Sequence, residues 1–212
     1  RDARDHGVEI RAVSVNHSEW DCTLEPRSDG QLAIRLGLRQ IKGLRAEDAT
    51  WIVAARGNGY PDVESLWRRA GVPPATLERL AEGDAFAALG LTRRDALWAA
   101  RALLQPKSLP LFGAEGEGIV EPPVLLPRMT LSQEVVEDYL SLRLSLRAHP
   151  VELLRPDLPE SLPNDRLPGV LGRRTITGLV ITRQRPGTAS GVIFLTLEDE
   201  TGMLNLVVKP RL

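Results

Sequence analysis

The chain has 212 residues, which is enough for one large domain or two small ones. A formal net charge of −1 excludes bulk cationic attraction as the main driver of nucleic-acid binding, so any such contact must come from local patches. The single cysteine, Cys22, excludes an internal disulfide and a cysteine-based zinc site, and it fits a reducing compartment.

Three further features bear on location and completeness. The sequence has no run of about 18 apolar residues, so we expect no transmembrane helix. No signal peptide is recognisable, and we expect a cytoplasmic chain with no membrane contact. Because the sequence begins with Arg1 rather than Met, we expect it to be a piece of something longer.

Residues 1–33 predict an edge segment. Apolar and polar residues alternate over residues 8–13, which is typical of a β-strand, and Asn16-His17-Ser18 is typical of a turn or a helix cap. Acidic residues outnumber basic residues here, which makes this segment a poor surface for DNA.

Residues 37–56 predict a helix-hairpin-helix. A short apolar segment runs into a glycine turn at Lys42-Gly43-Leu44-Arg45. After the turn, Ala49, Ile52, Val53 and Arg56 recur at helical spacing. Trp51 has apolar helical neighbours and is predicted to be core rather than a platform for base stacking.

The turn suggests phosphate binding. Glycine permits a tight bend, and the unpaired N–H groups at the start of the next helix attract an anion. Lys42, Gly43, Leu44 and Arg45 are therefore predicted to bind the DNA backbone, helped by a locally cationic sequence. The cations of this sequence are Arg35, Arg39, Lys42, Arg45 and Arg56. The alternative is an ordinary packed pair of helices with a solvated charged face.

Residues 61–105 repeat this pattern in degenerate form. A second glycine turn at residues 82–86 is acidic and is interpreted as structural. Thr92 and Asp95 predict a capping box for a helix whose inner face carries Ala96 and Ala100. Arg93 and Arg94, at the start of this helix, are predicted to face phosphate.

Residues 106–172 predict a linker with one connecting helix. Proline and glycine forbid regular structure over residues 106–130, where an apolar plug at 109–112 either docks on a neighbour or is buried against its own domain. Residues 130–147 predict the helix. His149, beside Pro150, is interpreted as a helix cap rather than a catalytic base.

Residues 173–212 predict three strands. The segments 175–185, 192–198 and 203–208 have the period of a meander, with a bulge or bend at Gly178. Such a meander is typical of the N-terminal half of an OB-fold barrel. Arg183 and Arg185 are predicted to line a groove for single-stranded DNA, with Phe194 as the candidate for stacking or else a core residue.

The ordered motifs resemble a known family. They are Ile41-Lys42-Gly43, Gly83-Asp84-Ala85-Phe86, Arg93-Arg94-Asp95-Ala96-Leu97-Trp98, Pro110-Leu111-Phe112, Asp138-Tyr139, Ser145-Leu146-Arg147-Ala148-His149-Pro150, Arg183-Gln184-Arg185-Pro186-Gly187-Thr188-Ala189 and Leu197-Glu198-Asp199-Glu200-Thr201-Gly202. Together they resemble the C-terminal part of bacterial C-family DNA polymerases, and within that family the error-prone DnaE type. Arg45 departs from the family pattern, because a second hairpin glycine is usual there.

The resemblance implies an α+β chain in four parts. Residues 1–33 would end the fingers, and 34–105 would be a tandem helix-hairpin-helix domain gripping duplex DNA. Residues 106–172 would be the linker, with its helix at 130–147. Residues 173–212 would be the first half of an OB-fold barrel near the single-stranded template.

The resemblance also implies what this piece lacks. The metal-binding aspartates of the family lie in a palm domain, and no part of this sequence matches them. We therefore expect no cofactor here, Mg²⁺ only in the palm, and no polymerisation by this piece alone.

Two roles remain open at this point. The first is a non-catalytic DNA-binding segment of an error-prone translesion polymerase. The alternative is a protein-interaction module that docks a Y-family-like mutasome protein (ImuB), and through it the sliding clamp, with little DNA binding of its own.

Overall fold

The computed structural model describes residues 2–103, 125–188 and 191–210. The chain divides into two compact units. The first comprises Arg1–Thr130 and Glu137–Leu146, and the second comprises Leu131–Val136 and Arg147–Leu212. The predicted apolar plug at residues 109–112 lies outside the described residues.

A small mixed sheet opens the first unit. β1 (Ile10–Arg11) pairs in parallel with β3 (Leu32–Arg35), and β2 (Thr23–Pro26) pairs with β3 on its other side in antiparallel register. Of the strand predicted at residues 8–13 only β1 forms, and the turn predicted at residues 16–18 follows it. β3 continues past residue 33, so the predicted edge segment and the predicted hairpin share one strand.

The first unit contains five α-helices within residues 2–103. They are α1 (Asp2–Asp5), α2 (Ala46–Ala55), α3 (Val63–Ala70), α4 (Pro74–Glu82) and α5 (Arg93–Ala102). The predicted capping box of α5 is confirmed, since Thr92 and Asp95 each accept a hydrogen bond from the other's backbone N–H. The helices and the segment before them enclose one apolar core, whose most buried members include Val15, Leu38, Ile52, Leu66, Leu77, Leu80 and Phe86.

The first arm of the predicted helical hairpin is not an α-helix. Residues up to Arg35 are paired in β3, and only Leu38–Gln40 form a single 3-10 turn. Gly37 joins the two in extended conformation, where a Cβ would lie 2.4 Å from the Trp20 carbonyl oxygen. Strand pairing already uses the backbone groups that a helix would need, so the arm shortens to one turn. The glycine turn and the second helix, α2, are as predicted.

The connecting helix is shorter than predicted. α6 spans Leu131–Leu142, and Arg143 ends it by adopting a left-handed backbone with φ of 63°. A short helix α7 (Pro150–Leu154) follows, and the His149 Nδ1 accepts a hydrogen bond from the Val151 N–H at 3.2 Å. His149 is therefore a helix cap, as predicted.

The second unit carries two sheets. β4 (Ser161–Leu162) and β5 (Thr175–Ile176) form a parallel pair, and β6 (Leu179–Gln184), β7 (Ile193–Glu198) and β8 (Met203–Val208) form the predicted antiparallel meander.

The first predicted strand of the meander is split. Gly178 separates β5 from β6, and a Cβ at Gly178 would lie 3.0 Å from the Glu198 carbonyl oxygen. Of the two predicted alternatives at Gly178, the bulge is wrong, because the register shift lies between Val180 and Thr182, whereas the strand is interrupted at Gly178 itself.

The described residues thus form an α+β chain with a helical first unit and an open three-stranded sheet near the end, which confirms the predicted fold class. None of the helices in the described ranges combines the length and the apolar character that crossing a bilayer requires.

Candidate nucleic-acid interface

Two buried side chains fix the glycine turn. Ile41 and Leu44 are almost fully buried in the core, whereas Lys42, Gly43 and Arg45 are exposed. The Leu44 N–H donates to the Ile41 carbonyl at 3.2 Å, which closes the turn. Gly43 has φ of +79°, a region that other residues enter only at a cost, so this bend favours glycine. The alternation of apolar anchors and exposed residues therefore presents Lys42 to solvent.

The turn offers fewer free amides than predicted. The Lys42 N–H donates to the Ser141 carbonyl oxygen at 2.8 Å, and the Leu44 N–H is occupied within the turn. Among the described residues, the N–H groups of Gly43, Ala46 and Glu47 have no acceptor, and no side chain caps α2. The predicted nest at Lys42 and Leu44 is therefore corrected to the Gly43 amide and the first turn of α2.

Arg45 is exposed but already holds a carboxylate. Its Nε and Nη2 donate to the two oxygens of Asp48 at 3.0 and 2.8 Å, and the Thr76 hydroxyl donates to Asp48 at 2.6 Å. Burial would raise the pKa of Asp48, but these hydrogen bonds outweigh burial and hold the pKa below its ordinary value. The Arg45 side chain remains 61% exposed, so it can approach an anion, yet much of its charge is compensated.

The other cations of the predicted patch divide into two groups. Arg35 and Arg56 hold the structure together: Arg35 binds Glu25 at 2.8 Å, and Arg56 donates to the Val15 carbonyl at 2.9 Å. Arg39 is exposed and pairs with Asp21 at 2.5 Å. Within the described residues Lys42 has no acidic partner, which makes it the uncompensated charge of the turn.

Trp51 is not a core residue. Trp51 is 63% exposed on α2. Ala49 and Ile52 occupy the buried face, and Trp51 lies about 200° around the helix from Ala49 and about 100° from Ile52, so its side chain is directed away from that face. The prediction that Trp51 is core is therefore wrong.

Arg93 does not face phosphate. It is 2% exposed, its Nη2 lies 2.5 Å from the Asp138 Oδ1, and its Nη1 donates to the Glu82 carbonyl at 2.6 Å. The prediction for Arg93 is thus corrected, because a buried, paired guanidinium cannot meet a solvated backbone. Arg94 lies at the surface and donates to the Pro127 carbonyl at 2.7 Å.

The strand cations and Phe194 do not form one groove. Gln184 pairs with Phe194 and Arg183 pairs with Leu195, so Arg183 and Phe194 lie on opposite faces of the sheet. Arg183 and Arg185 are exposed, and Phe194 is 42% exposed rather than core. A single strand could contact the two arginines or stack on Phe194, but one face does not offer both.

Sequence reasoning missed two cations at the turn. The Arg79 Nε approaches Gly43, lying 3.5 Å from the position a Cβ would take, although Arg79 also pairs with Glu82 at 2.8 Å. Arg143 lines a groove together with residues 39–44. Neither has a local signal in the sequence, because α4 and the end of α6 reach the turn only through tertiary packing.

Comparison with known proteins adds to this geometry. The family model described as a helix-hairpin-helix motif matches residues 7–96. The error-prone DNA polymerase of Ruegeria pomeroyi is 65% identical over 215 residues, covering 100% of this chain and 20% of that protein. Error-prone DNA polymerase 2 of Rhizobium meliloti is 47% identical over 238 residues, covering 100% of this chain and 21% of the relative.

The error-prone DNA polymerase of Sinorhizobium medicae is 44% identical over 246 residues, covering 98% of this chain and 21% of the relative. The chain thus spans about a fifth of the length of the curated relatives it matches. With this identity along its whole length and a helix-hairpin-helix region at residues 7–96, the chain is a homologue of a segment of the DnaE-type error-prone DNA polymerases.

Proposed function

We propose that this chain supplies a DNA-backbone-binding surface to an error-prone polymerase that acts in translesion synthesis. The observation that carries the proposal is the Gly43 turn, which presents the uncompensated Lys42 beside the uncapped first turn of α2. The family match and the names of the relatives support nucleic acid as the anion.

The mechanism is phosphate capture without base reading. A phosphate oxygen approaching the turn would meet the N–H groups of Gly43, Ala46 and Glu47, the last two of which lie in the first turn of α2, at the positive end of its dipole. Lys42 adds a full positive charge on an exposed, flexible side chain that can contact a phosphate of the DNA backbone. Such contacts carry no sequence information, so binding is expected to be indifferent to base sequence.

The charges around the turn limit the expected strength. Asp48 offsets Arg45, and Glu47 lies exposed in the first turn of α2. Few phosphates would therefore be neutralised, and the affinity for duplex should be modest and strongly dependent on salt.

Salt titration of duplex binding tests the proposal. The 212-residue chain is titrated onto a fluorescent duplex at several salt concentrations, alongside the variant Lys42→Ala. Losing one phosphate contact should lower the slope of log K against log salt by about 0.9 and weaken binding equally on unrelated sequences. Lys209→Ala is the matched control, since it makes the same side-chain and charge change outside the turn. Identical isotherms for wild type and Lys42→Ala would remove the turn from the proposal.

We assign the polymerisation reaction itself to another domain of the enzyme. In this proposal polymerisation and its Mg²⁺ belong to a palm domain outside this sequence, and the chain works in the cytoplasm as the C-terminal portion of the enzyme. Arg94, Arg183 and Arg185 are the secondary candidates for DNA contact, the last two for single-stranded DNA.

Docking of a protein partner is the second candidate function. The observation that favours it is exposed apolar surface on the meander, where Phe194 and Val207 are directly paired on one face. The candidate partner is the Y-family-like mutasome protein ImuB, which would connect the chain to the sliding clamp. Isothermal titration of the chain with that protein, compared between wild type and Phe194→Ser, would detect it. Absence of binding up to high micromolar concentration would exclude this role.

A further inference from the structure

We infer that Arg143 is a second backbone-contacting cation, supplied to the Gly43 turn by the segment that follows α6. The inference rests on the proposed function and adds a residue about a hundred positions away in the sequence. It assigns Lys42 and Arg143 to one binding groove for a nucleic-acid sugar-phosphate backbone.

The groove itself is the first observation. It is open to solvent, has a volume of about 550 Å³, and lies between residues 39–44 and residues 142–144. Its lining includes Arg39, Lys42 and Arg143 but no acidic residue. Asp21 pairs with Arg39, so the charges that repel each other across the groove are those of Lys42 and Arg143, and an anion between them removes that repulsion.

The second observation is that Arg143 is held in place. The Ser141 carbonyl accepts the Lys42 N–H at 2.8 Å, so the backbone of this segment is bonded directly to the turn. Leu142 is buried in the core, and the Ser145 hydroxyl donates to the Asp138 carboxylate at 2.8 Å. With anchors on both sides, Arg143 cannot drift away from the groove as a residue in a loose loop would.

The third observation is the conformation of Arg143. Its φ of 63° is left-handed, a region that a non-glycine residue adopts only at a cost in free energy. Glycine or asparagine would end α6 more cheaply at this position. Arg143 is exposed and, within the described residues, forms no side-chain hydrogen bond or ion pair. Arg143 therefore places a positive charge at a cationic groove from a strained backbone position. This combination indicates that Arg143 serves to bind an anion rather than to stabilise the fold.

Duplex titration of matched variants tests the inference. Arg143→Asn removes the charge but keeps a residue that tolerates the left-handed backbone, and Arg143→Lys keeps the charge. We expect Arg143→Asn to bind duplex about two- to fivefold more weakly, with the salt slope lower by about 0.9, and Arg143→Lys to retain most of the affinity. Arg68→Asn on α3 is the control, since Arg68 is exposed and does not line the groove.

The outcomes separate this inference from the proposed function. If Lys42→Ala weakens binding while Arg143→Asn matches wild type, the inference is wrong and the proposed function stands. If wild type does not bind duplex at all, both are overturned. Thermal unfolding of each variant is measured in parallel, and a weaker Arg143→Asn that melts like wild type and is rescued by Arg143→Lys supports the inference.

Discussion

The buried pair of Arg93 and Asp138 gives a strong prediction about stability. The two side chains are 1% and 2% exposed, and the Asp138 carboxylate joins α6 to α5 with a short contact of 2.5 Å. Asp138→Ala would remove this carboxylate from beside the buried Arg93 guanidinium, although the bond of Arg93 to the Glu82 carbonyl would remain. Breaking such a pair costs about 3–5 kcal/mol, and the loss of the Ser145 hydrogen bond acts in the same direction.

The assay can follow the first unit alone. All four tryptophans, Trp20, Trp51, Trp67 and Trp98, belong to that unit, so tryptophan fluorescence in urea reports its unfolding. We expect the free energy of unfolding to fall by about 3–4 kcal/mol for Asp138→Ala. Arg94→Met is the control, because Arg94 follows Arg93 in the chain but lies at the surface. Its free energy of unfolding should change by under about 1 kcal/mol.

A double variant tests the cause. Arg93→Met combined with Asp138→Leu removes both charges and fills the space with apolar atoms, and it should be much less destabilised than the sum of the single changes. If Asp138→Ala costs under about 1 kcal/mol, or if the two changes simply add, the reasoning about the loss of a buried ion pair is refuted.

Two further predictions concern the turn and the N-terminal sheet. Gly43→Ala should destabilise the chain by about 1–2 kcal/mol through the φ of +79° alone, since Arg79 lies at ordinary contact distance from the added Cβ. Thermal melting followed by circular dichroism measures the loss, and Gly187→Ala, the control, should show no comparable loss. Equal melting temperatures for the two variants would contradict the backbone argument. Hydrogen bonds from Arg35, opposed by burial and reinforced by Arg11, lower the pKa of Glu25 from 4.5 to about 2. The stabilisation is therefore complete above about pH 5 and is lost as the pH falls toward 2, by at most about 3 kcal/mol. Urea unfolding of Glu25→Gln should lack that part of the acid dependence, and an unchanged pH profile would rule out Glu25 as its source.

Local patterns in the sequence predicted local structure well. The spacing of Ala49, Ile52 and Val53 predicted α2, and Thr92 with Asp95 predicted the start of α5. These signals act within one or two helical turns, so the residues that carry them are adjacent in the chain. The three-stranded meander followed from period and turns in the same way.

The predictions fail where residues far apart in the sequence determine the local structure. The first hairpin arm became strand because β1 and β2 pair with it, and no residue of the arm itself shows that pairing. Arg93 is different, since a signal was present: it precedes Ala96 by three positions and Ala100 by seven, which places it on the inner face of α5. The prediction that Arg93 faces phosphate rests on its charge, whereas its position on α5 predicts burial.

The candidate site was predicted in part. Exposure of Lys42 followed from the buried residues around it, whereas the second wall of the groove did not. Arg143 reaches the turn only because α6 ends in a left-handed residue and its last turn docks on the core, and nothing within residues 141–144 predicts that partner.

The outer strand β6 has a consequence for self-association. Within the described residues β6 has a neighbour on one side only, which leaves a row of backbone groups that another copy could extend into a continuous sheet. The bulge between Val180 and Thr182 bends that row, and Arg183 and Arg185 place two positive charges along it. A second molecule approaching edge to edge would bring its own arginines against these, so the same residues that could attract a nucleic acid also disfavour fibrous stacking of the chain.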